Sequence, residues 1–259
     1  DTAGPISRCG EDAAITFQAI AGHDSKDIYS RNLPVPDYRQ GLTGDIKGIK
    51  MGVVLEHMDS SNLDTEFRES VSKAIGAIVE MGASSEDASI PLAPNAGALT
   101  MSILSVEWSN LHRKLFEENF QELDHNNKIR FLTGNIIPAQ FYYKAQKIRT
   151  VLRQQILDAL QKVDVLVLPS GPVTAPPVES SPGIRSKGHA LEGLAGRISF
   201  TGPFNLAGTP ALSVPCGFSS SGMPMGLQIV GRPFEEDTVL RVAYAYEQGT
   251  DWHTRRPPI

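Results

Sequence analysis

The hydrophobic positions of this chain change period several times, and each change marks the boundary of a predicted element. Residues 49–56 (IKMGVVLE) are apolar and β-branched without regular alternation, which is typical of a buried strand. Residues 64–82 repeat apolar side chains at helical spacing, with Asp64 placed to cap the helix and Gly82 to end it. A strand followed by such a helix is a βα unit, which favours a sheet covered by helices.

Later segments repeat this alternation of strand and helix patterns. The run VDVLVLP at residues 163–169 predicts a fully apolar strand. Residues 211–218 and 223–231 flank the turn sequence SSSG, so they predict a β-hairpin. Three further segments have helical spacing, namely residues 11–21, 138–162 and 235–248.

One apolar stretch fits neither pattern. Residues 200–217 (FTGPFNLAGTPALSVPCG) hold four glycines or prolines in their first eleven positions and no ionisable side chain except Cys216. Such a run is too apolar for a solvated loop and too rich in helix-breaking residues for a helix. We therefore expect no regular helix here.

Composition narrows the functional class. The chain has 259 residues, of which 41% are hydrophobic and 20% charged, as is ordinary for an α/β protein. Its formal net charge of -5 argues against binding to a phosphate backbone, so no nucleic-acid partner is expected. No apolar run approaches about 20 residues, which predicts no membrane span in this chain. Cys9 and Cys216 do not resemble a disulfide framework, so a cytoplasmic location is expected.

Candidate chemistry is sparse. None of the six histidines has a Ser or Cys partner in a recognisable nucleophile motif. Cys216 lies among apolar neighbours, which predicts a buried thiol rather than a nucleophile. The serines at 219–221 lie between two predicted strands and predict a polar turn. No Cys/His cluster has metal-ligand spacing, so no metal is expected and no residue of this chain is predicted to be catalytic.

Several separated segments of this chain, SVEWSNLHR, FTGPFNLAGTPALSVPCG and DTAGPISRCGEDAA among them, resemble segments of the amidase signature family. The helical region of that family is similar to SVEWSNLHR and to the run from FLTGN to YYKAQKIR, and its strand with a Pro-rich loop is similar to VDVLVLPSGPVTAPP. The most specific resemblance is in FTGPFNLAGTPALSVPCG followed by GMPMGLQIVGRPFEEDTVLRVAYAYEQGTDWH. The first segment, DTAGPISRCGEDAA, resembles the family's Asp-Thr-x-Gly-Pro-x-x-Arg-x-x-x-Asp-Ala pattern at Asp1, Thr2, Gly4, Pro5, Arg8, Asp12 and Ala13.

This resemblance implies an α/β fold, in which a mixed β-sheet core is surrounded by α-helices, and an amidase acting on a small-molecule linear amide without metal or cofactor. The family uses a Ser nucleophile activated through a second Ser and a Lys base, with a Gly/Ser-rich loop as the oxyanion hole. Those residues belong to a signature region that precedes the Asp-Thr-x-Gly-Pro segment. Residues 1–259 are therefore expected to be the C-terminal part of a single amidase domain, inactive alone, with the upstream segment of the same protein as their partner.

The resemblance also indicates residues that border the acyl pocket. They are Trp108, Ile198, Phe200 and Phe204, and plain core packing stays open for each of them. Glutamine-using members carry an Asp three residues before the Thr of their Thr-x-Pro segment, and Ile198 stands at that place here. Because an apolar side chain cannot neutralise the ammonium of glutamine, an uncharged acyl group is expected. The 200–217 stretch would shape this site as an apolar wall.

Two alternatives stay open. The runner-up is the branch of the family that contains the A-subunit of glutamyl-tRNA amidotransferase, which needs other subunits and charged tRNA. The other is a non-catalytic binding or scaffold domain that keeps only the C-terminal half of the fold. An upstream Lys and a Gly/Ser-rich Ser-Ser loop would favour an enzyme, and their absence would favour the scaffold. A homodimer is compatible with each of these hypotheses.

Overall fold

A mixed β-sheet forms the centre of the protein in the computed structural model, which describes residues 3–177 and 196–256. The strands found there are β1 (Lys50–Val54), β2 (Ser84–Ala88), β3 (Val165–Pro169), β4 (Ala211–Phe218) and β5 (Pro224–Gly231). Their order across the sheet is β2-β1-β3-β5-β4. Strand β1 is parallel to β2 and β3, whereas β5 is antiparallel to both β3 and β4. The expected α/β fold with a mixed sheet is confirmed.

Helices cover this sheet on both sides. In the described part of the chain they are α1 (Gly10–Ile20), α2 (Leu55–Met58), α3 (Thr65–Glu80), α4 (Ala96–Leu111), α5 (Arg113–Asn119), α6 (His125–Ile136), α7 (Ala139–Leu160), α8 (Gly196–Ala207) and α9 (Glu236–Gln248). The predicted helices α1, α3, α7 and α9 are confirmed, with small differences at their ends. Among these helices none is both long enough and apolar enough to cross a membrane.

Strand β3 lies at the centre of the sheet and is buried on both faces. Val165 and Val167 belong to a core cluster that α3 and α9 cover, while Leu166 and Leu168 belong to a second cluster beneath α4, α7 and α8. All four side chains are fully buried. Because successive side chains of a strand point to opposite faces, this apolar run fills two cores at once.

The βα unit predicted over residues 49–82 is confirmed with one change. Strand β1 ends at Val54 rather than at residue 56, because the single helical turn α2 begins directly after it. Helix α3 then crosses over to β2, which pairs in parallel with β1. As predicted, Asp64 caps α3, and its Oδ1 accepts a hydrogen bond from the Phe67 backbone N–H at 3.2 Å.

We expect Asp64→Ala to lower the free energy of unfolding by about 1 kcal/mol, because it removes the acceptor for an otherwise unpaired N–H of the first helical turn. Asp64→Ser keeps a capping oxygen and is expected to retain most of the stability. Urea denaturation of the three proteins measures both effects. Equal losses in the two variants would show that the cap contributes nothing.

The prediction that residues 200–217 are too broken for a helix is wrong for their first part. Helix α8 continues to Ala207 and contains Pro203, and strand β4 then begins at Ala211. A proline is tolerated inside a helix when other groups satisfy the carbonyl that its missing N–H leaves free. Gly208, at φ +66°, ends the helix in the left-handed region and donates its N–H to the Phe204 carbonyl at 2.8 Å.

Candidate functional site

The carboxyl ends of β1 and β3 meet at one edge of the sheet, because the two strands are parallel. Strand β1 passes into α2, which carries Glu56 and His57, and β3 passes into an irregular segment that begins at Ser170. The first turns of α8 reach the same edge, where Ser199 contacts His57. In open α/β sheets ligands bind outside the carboxyl ends of the strands, so this edge is the candidate functional site.

His57 is buried at this edge, with 3% of its surface exposed. Its Nε2 lies 2.9 Å from the backbone carbonyl oxygen of Ser199. Because a carbonyl only accepts, Nε2 carries the proton, and the neutral ring leaves Nδ1 as an acceptor. Nδ1 has no hydrogen-bond partner among the residues that the structure describes. Burial lowers the pKa of His57, which keeps the ring neutral near pH 7.

Pro203 removes the donor that a regular helix would supply to the Ser199 carbonyl. In a regular helix the N–H of residue 203 would bond to the carbonyl four residues earlier, and proline has no N–H. The carbonyl of the next residue, Phe200, accepts a hydrogen bond from Nε2 of Gln228 at 3.0 Å. Gln228 is buried in β5, so two side chains from outside the helix satisfy two consecutive carbonyls of α8.

Glu56 is tied into the backbone rather than free to act as a base. One carboxylate oxygen accepts a hydrogen bond from the Ser89 hydroxyl, and the other accepts one from the Ile90 N–H at 2.9 Å. Both partners directly follow β2. Glu56 thus links the carboxyl ends of β1 and β2 and stabilises the floor of the candidate site.

The structure distributes the four predicted pocket residues over two helices. Phe200 and Phe204 are both buried on α8, one turn apart, but in different core clusters. Phe200 also meets the His57 ring edge-on at 4.9 Å between ring centroids. Ile198 belongs to the first turn of α8, and its side chain lies outside the described residues. Whether these residues border an acyl pocket stays a prediction.

Trp108 lies on α4, which packs against α8, and it is half-buried. Its ring contacts the Phe116 ring edge-on, with centroids 4.8 Å apart, and the Arg130 guanidinium lies 5.6 Å from the centroid of the Trp108 ring. These two partners belong to α5 and α6, not to α8. The structure therefore brings Phe200 and His57 together, and it places Trp108 in a separate aromatic group.

A cavity of about 620 Å³ lies at a different place, along strand β4. Its wall includes Arg8, Cys9, Phe204, Ala211, Ser213 and Glu247. The lining follows β4 from Ala211, which is level with the start of β3, to Val214, which is level with the last residue of β3, so the cavity runs along the length of this edge strand. Burial raises the pKa of Glu247, whose Oε2 accepts a hydrogen bond from the Gly10 N–H at 2.6 Å. No sequence signal singles out this carboxylate, since it stands in an ordinary amphipathic helix.

The remaining candidates are structural or lie on the surface. Cys216 is buried, as predicted, and burial raises its pKa to about 11, so the thiol stays protonated at neutral pH. The predicted serine turn is confirmed by the hydrogen bond from the Ser219 N–H to the Met223 carbonyl at 2.8 Å. A Ser30–His23 contact of 3.3 Å, which the sequence did not indicate, lies in an exposed turn. Within the described ranges no three His, Cys, Asp or Glu side chains cluster closely enough to hold a metal ion.

Comparison with known proteins now adds to this geometry. The family model described as Amidase matches residues 1–240. The A-subunit of the glutamyl-tRNA(Gln) amidotransferase of Geotalea daltonii is 35% identical over 100% of this chain and 57% of its own length. The protein of the same description from Gloeobacter violaceus is 37% identical over 100% of the chain and 56% of its own length.

Solved structures agree with the fold. The A-subunit of the glutamyl-tRNA(Gln) amidotransferase of Thermotoga maritima superposes with a TM-score of 0.78 at 30% identity, over 95% of this chain and 52% of that one. A bacterial aryl acylamidase of the amidase signature family superposes with a TM-score of 0.80 at 19% identity, over 98% of this chain and 55% of that one, and it supports the fold alone. The chain thus spans about half the length of the proteins that it matches. Since the family match covers most of its residues, the chain belongs to the amidase family.

Proposed function

We propose that the complete protein is an amidase, a carbon–nitrogen hydrolase that converts a linear amide to a carboxylate and ammonia. The observation that carries this proposal is the family match over residues 1–240. The fold agrees with it, because the sheet and its helices superpose on a solved relative at 30% identity. The substrate and the reaction steps are part of the proposal.

In the proposed reaction a Ser hydroxyl attacks the amide carbonyl, and its proton passes through a second Ser toward a Lys base. Backbone N–H groups stabilise the tetrahedral oxyanion, the nitrogen leaves as ammonia after taking up a proton, and water hydrolyses the acyl-enzyme ester. These groups belong to the family's signature region, which none of the matched segments includes. The described residues would contribute the wall of the acyl pocket through α8.

The proposed substrate is an uncharged small-molecule amide. Ile198 supports this choice, because it stands where glutamine-using members carry an Asp. A cytoplasmic compartment is proposed because Cys9 and Cys216 are both free thiols.

A second candidate function is that of the A-subunit of an amidotransferase. The relatives that bear this description, at 35% to 37% identity, favour it. Such a protein would take ammonia from glutamine and would need other subunits and charged tRNA. A non-catalytic scaffold is the candidate from a different class. An upstream Lys and Ser-Ser loop would exclude the scaffold, and glutamine turnover would favour the amidotransferase.

We expect the 259-residue chain alone to release no ammonia from simple amides above a heat-killed control, because none of its described groups forms an activated nucleophile. The same chain extended by its upstream segment is expected to release ammonia in a coupled assay. Cys216→Ala in the 259-residue chain is the control for thiol chemistry. Turnover by the short chain that Cys216→Ala abolishes would contradict the expectation, and no turnover by the extended chain would contradict the proposed function.

A further inference from the structure

We infer that His57 and Gln228 are positioning residues that hold the N-terminal half of helix α8 at the carboxyl edge of the sheet. We call this pair the α8 anchor. The inference rests on the proposed function, because it assigns the anchor the task of keeping the acyl-pocket wall in place. That wall contains Phe200 and, by prediction, Ile198.

The anchor acts where Pro203 weakens the helix. Because proline donates no hydrogen bond, residue 203 cannot supply the usual helical donor to the Ser199 carbonyl, and Nε2 of His57 donates to it at 2.9 Å. Gln228 supplies a second donor to the Phe200 carbonyl at 3.0 Å. Two consecutive peptide units are therefore held from outside the helix.

The two donors approach from different parts of the sheet. His57 follows the end of β1, and Gln228 lies within β5, so α8 is fixed relative to both strands. Gln228 has Leu227 and Ile229 as fully buried neighbours in its strand. A buried amide among apolar side chains is costly unless it is hydrogen-bonded, so the Phe200 carbonyl also satisfies Gln228.

A separate group holds the other end of α8. The Nε of Arg149 on α7 donates a hydrogen bond to the Leu206 carbonyl at 2.7 Å. Loss of the α8 anchor therefore frees the half of the helix that carries Ile198 and Phe200, while the C-terminal half stays attached. Arg149 thus offers a matched control at the opposite end of one helix.

The buried His57 ring also makes the stability of the protein depend on pH. Burial lowers the pKa of His57 below its ordinary value of 6.5, and the hydrogen bond to the Ser199 carbonyl and the nearby Glu56 carboxylate oppose this only in part. Among the described groups around the ring, Glu56 is the charged one that acts on it, while α8 presents the Ser199 carbonyl and the Phe200 ring. As the pH falls, the unfolded chain therefore takes up a proton before the folded chain does. Protonation leaves the Nε2 donor in place, so this pH dependence arises from burial of the ring. The stability that the neutral buried ring contributes is complete above pH 6.5 and is lost as the pH falls through the folded pKa.

Three substitutions distinguish the effect of the hydrogen-bond donor from the effect of the ring contact. His57→Gln keeps a donor near the position of Nε2, His57→Phe keeps the ring contact with Phe200 but removes the donor, and Gln228→Leu removes the amide. In the complete protein we expect His57→Phe and Gln228→Leu to lower kcat/KM for an amide with a bulky acyl group by about tenfold, mainly through KM. For the smallest amide the loss is expected to be below about threefold. His57→Gln is expected to retain most of the wild-type activity. Arg149→Leu is expected to leave the ratio of kcat/KM for the bulky amide to kcat/KM for the smallest amide unchanged.

Hydrogen exchange on the complete protein tests the anchor without any need for turnover. Amides of residues 199–207 are expected to exchange at least about tenfold faster in His57→Phe than in wild type or in His57→Gln. Between pH 7.5 and pH 5 wild type is expected to lose more unfolding free energy than His57→Phe does. Unchanged exchange in His57→Phe overturns the inference, and so does equal loss of activity on small and bulky amides. Absence of all amide hydrolysis by the complete protein instead overturns the proposed function, and it does so independently of the exchange result.

Discussion

Replacing Gly134 with alanine is expected to lower the free energy of unfolding by about 2 kcal/mol, although alanine is the better helix former. Gly134 is buried in α6, where that helix packs against α4. An added Cβ would overlap the Ser105 carbonyl and the Ser109 hydroxyl. That hydroxyl cannot simply turn away, because it bonds to the carbonyls of Ser105 at 2.7 Å and of Phe131 at 3.0 Å. The two helices would have to move apart.

Gly76→Ala is the matched control for this prediction. Gly76 also lies inside a helix, α3, but it is exposed and an added Cβ would meet nothing within 4 Å. There the higher helix propensity of alanine should raise the free energy of unfolding by about 0.5–1 kcal/mol. Urea denaturation of both variants tests whether their free energies of unfolding change in opposite directions. If Gly134→Ala were as stable as wild type, the tight packing of α4 on α6 would be refuted.

Elements whose local pattern and tertiary role agree were predictable from the sequence. Helix α3 has a capping Asp64, a regular apolar stripe and a glycine at its end, and all three signals act in the same direction. The β4–β5 hairpin has two apolar strands around a short polar turn. In such segments the local preferences and the final packing favour the same structure, so little else is needed.

Strand β2 and helix α8 were not predictable from their local sequence, for different physical reasons. Strand β2 has the sequence SSEDA and is mostly exposed at the edge of the sheet, so it lacks the apolar pattern of a strand. It forms because helix α3, which follows β1 in the chain, brings the next segment back to pair with β1 in parallel. Helix α8 contains Pro203, and the distant donors His57 and Gln228 bond to two of its carbonyls. Neither donor is visible from the local sequence.

The candidate site was predictable only in part, because it depends on contacts between residues that are distant along the chain. The resemblance pointed to Phe200 and Phe204, which share one helix, but it did not indicate that they lie in different cores. His57 was set aside because it has no nucleophile partner in the sequence. Its role depends on a carbonyl 142 residues away along the chain, and sequence spacing cannot reveal such a contact.

The largest effect on specificity is expected from Ile198→Asp in the complete protein. If residue 198 occupies the place of the glutamine-binding Asp, the wild-type pocket must bury the ammonium of glutamine without a counter-charge. That penalty is of the order of several kcal/mol, and each ~1.4 kcal/mol changes the specificity tenfold. Wild type is therefore expected to prefer a neutral aliphatic or aryl amide over glutamine by at least about a hundredfold in kcat/KM.

Ile198→Asp should reduce this preference by supplying the missing charge, and Ile198→Asn is its matched control. The Asn side chain has nearly the same shape as Asp but no charge, so it should weaken binding of the neutral amide without a comparable gain for glutamine. Measuring kcat/KM for both substrates in the three proteins separates charge from size. Equal gains in the Asp and Asn variants would mean that space, not charge, limits glutamine. If wild type already prefers glutamine, the prediction of an uncharged acyl group is wrong. The amidotransferase then becomes the better proposal for the complete protein.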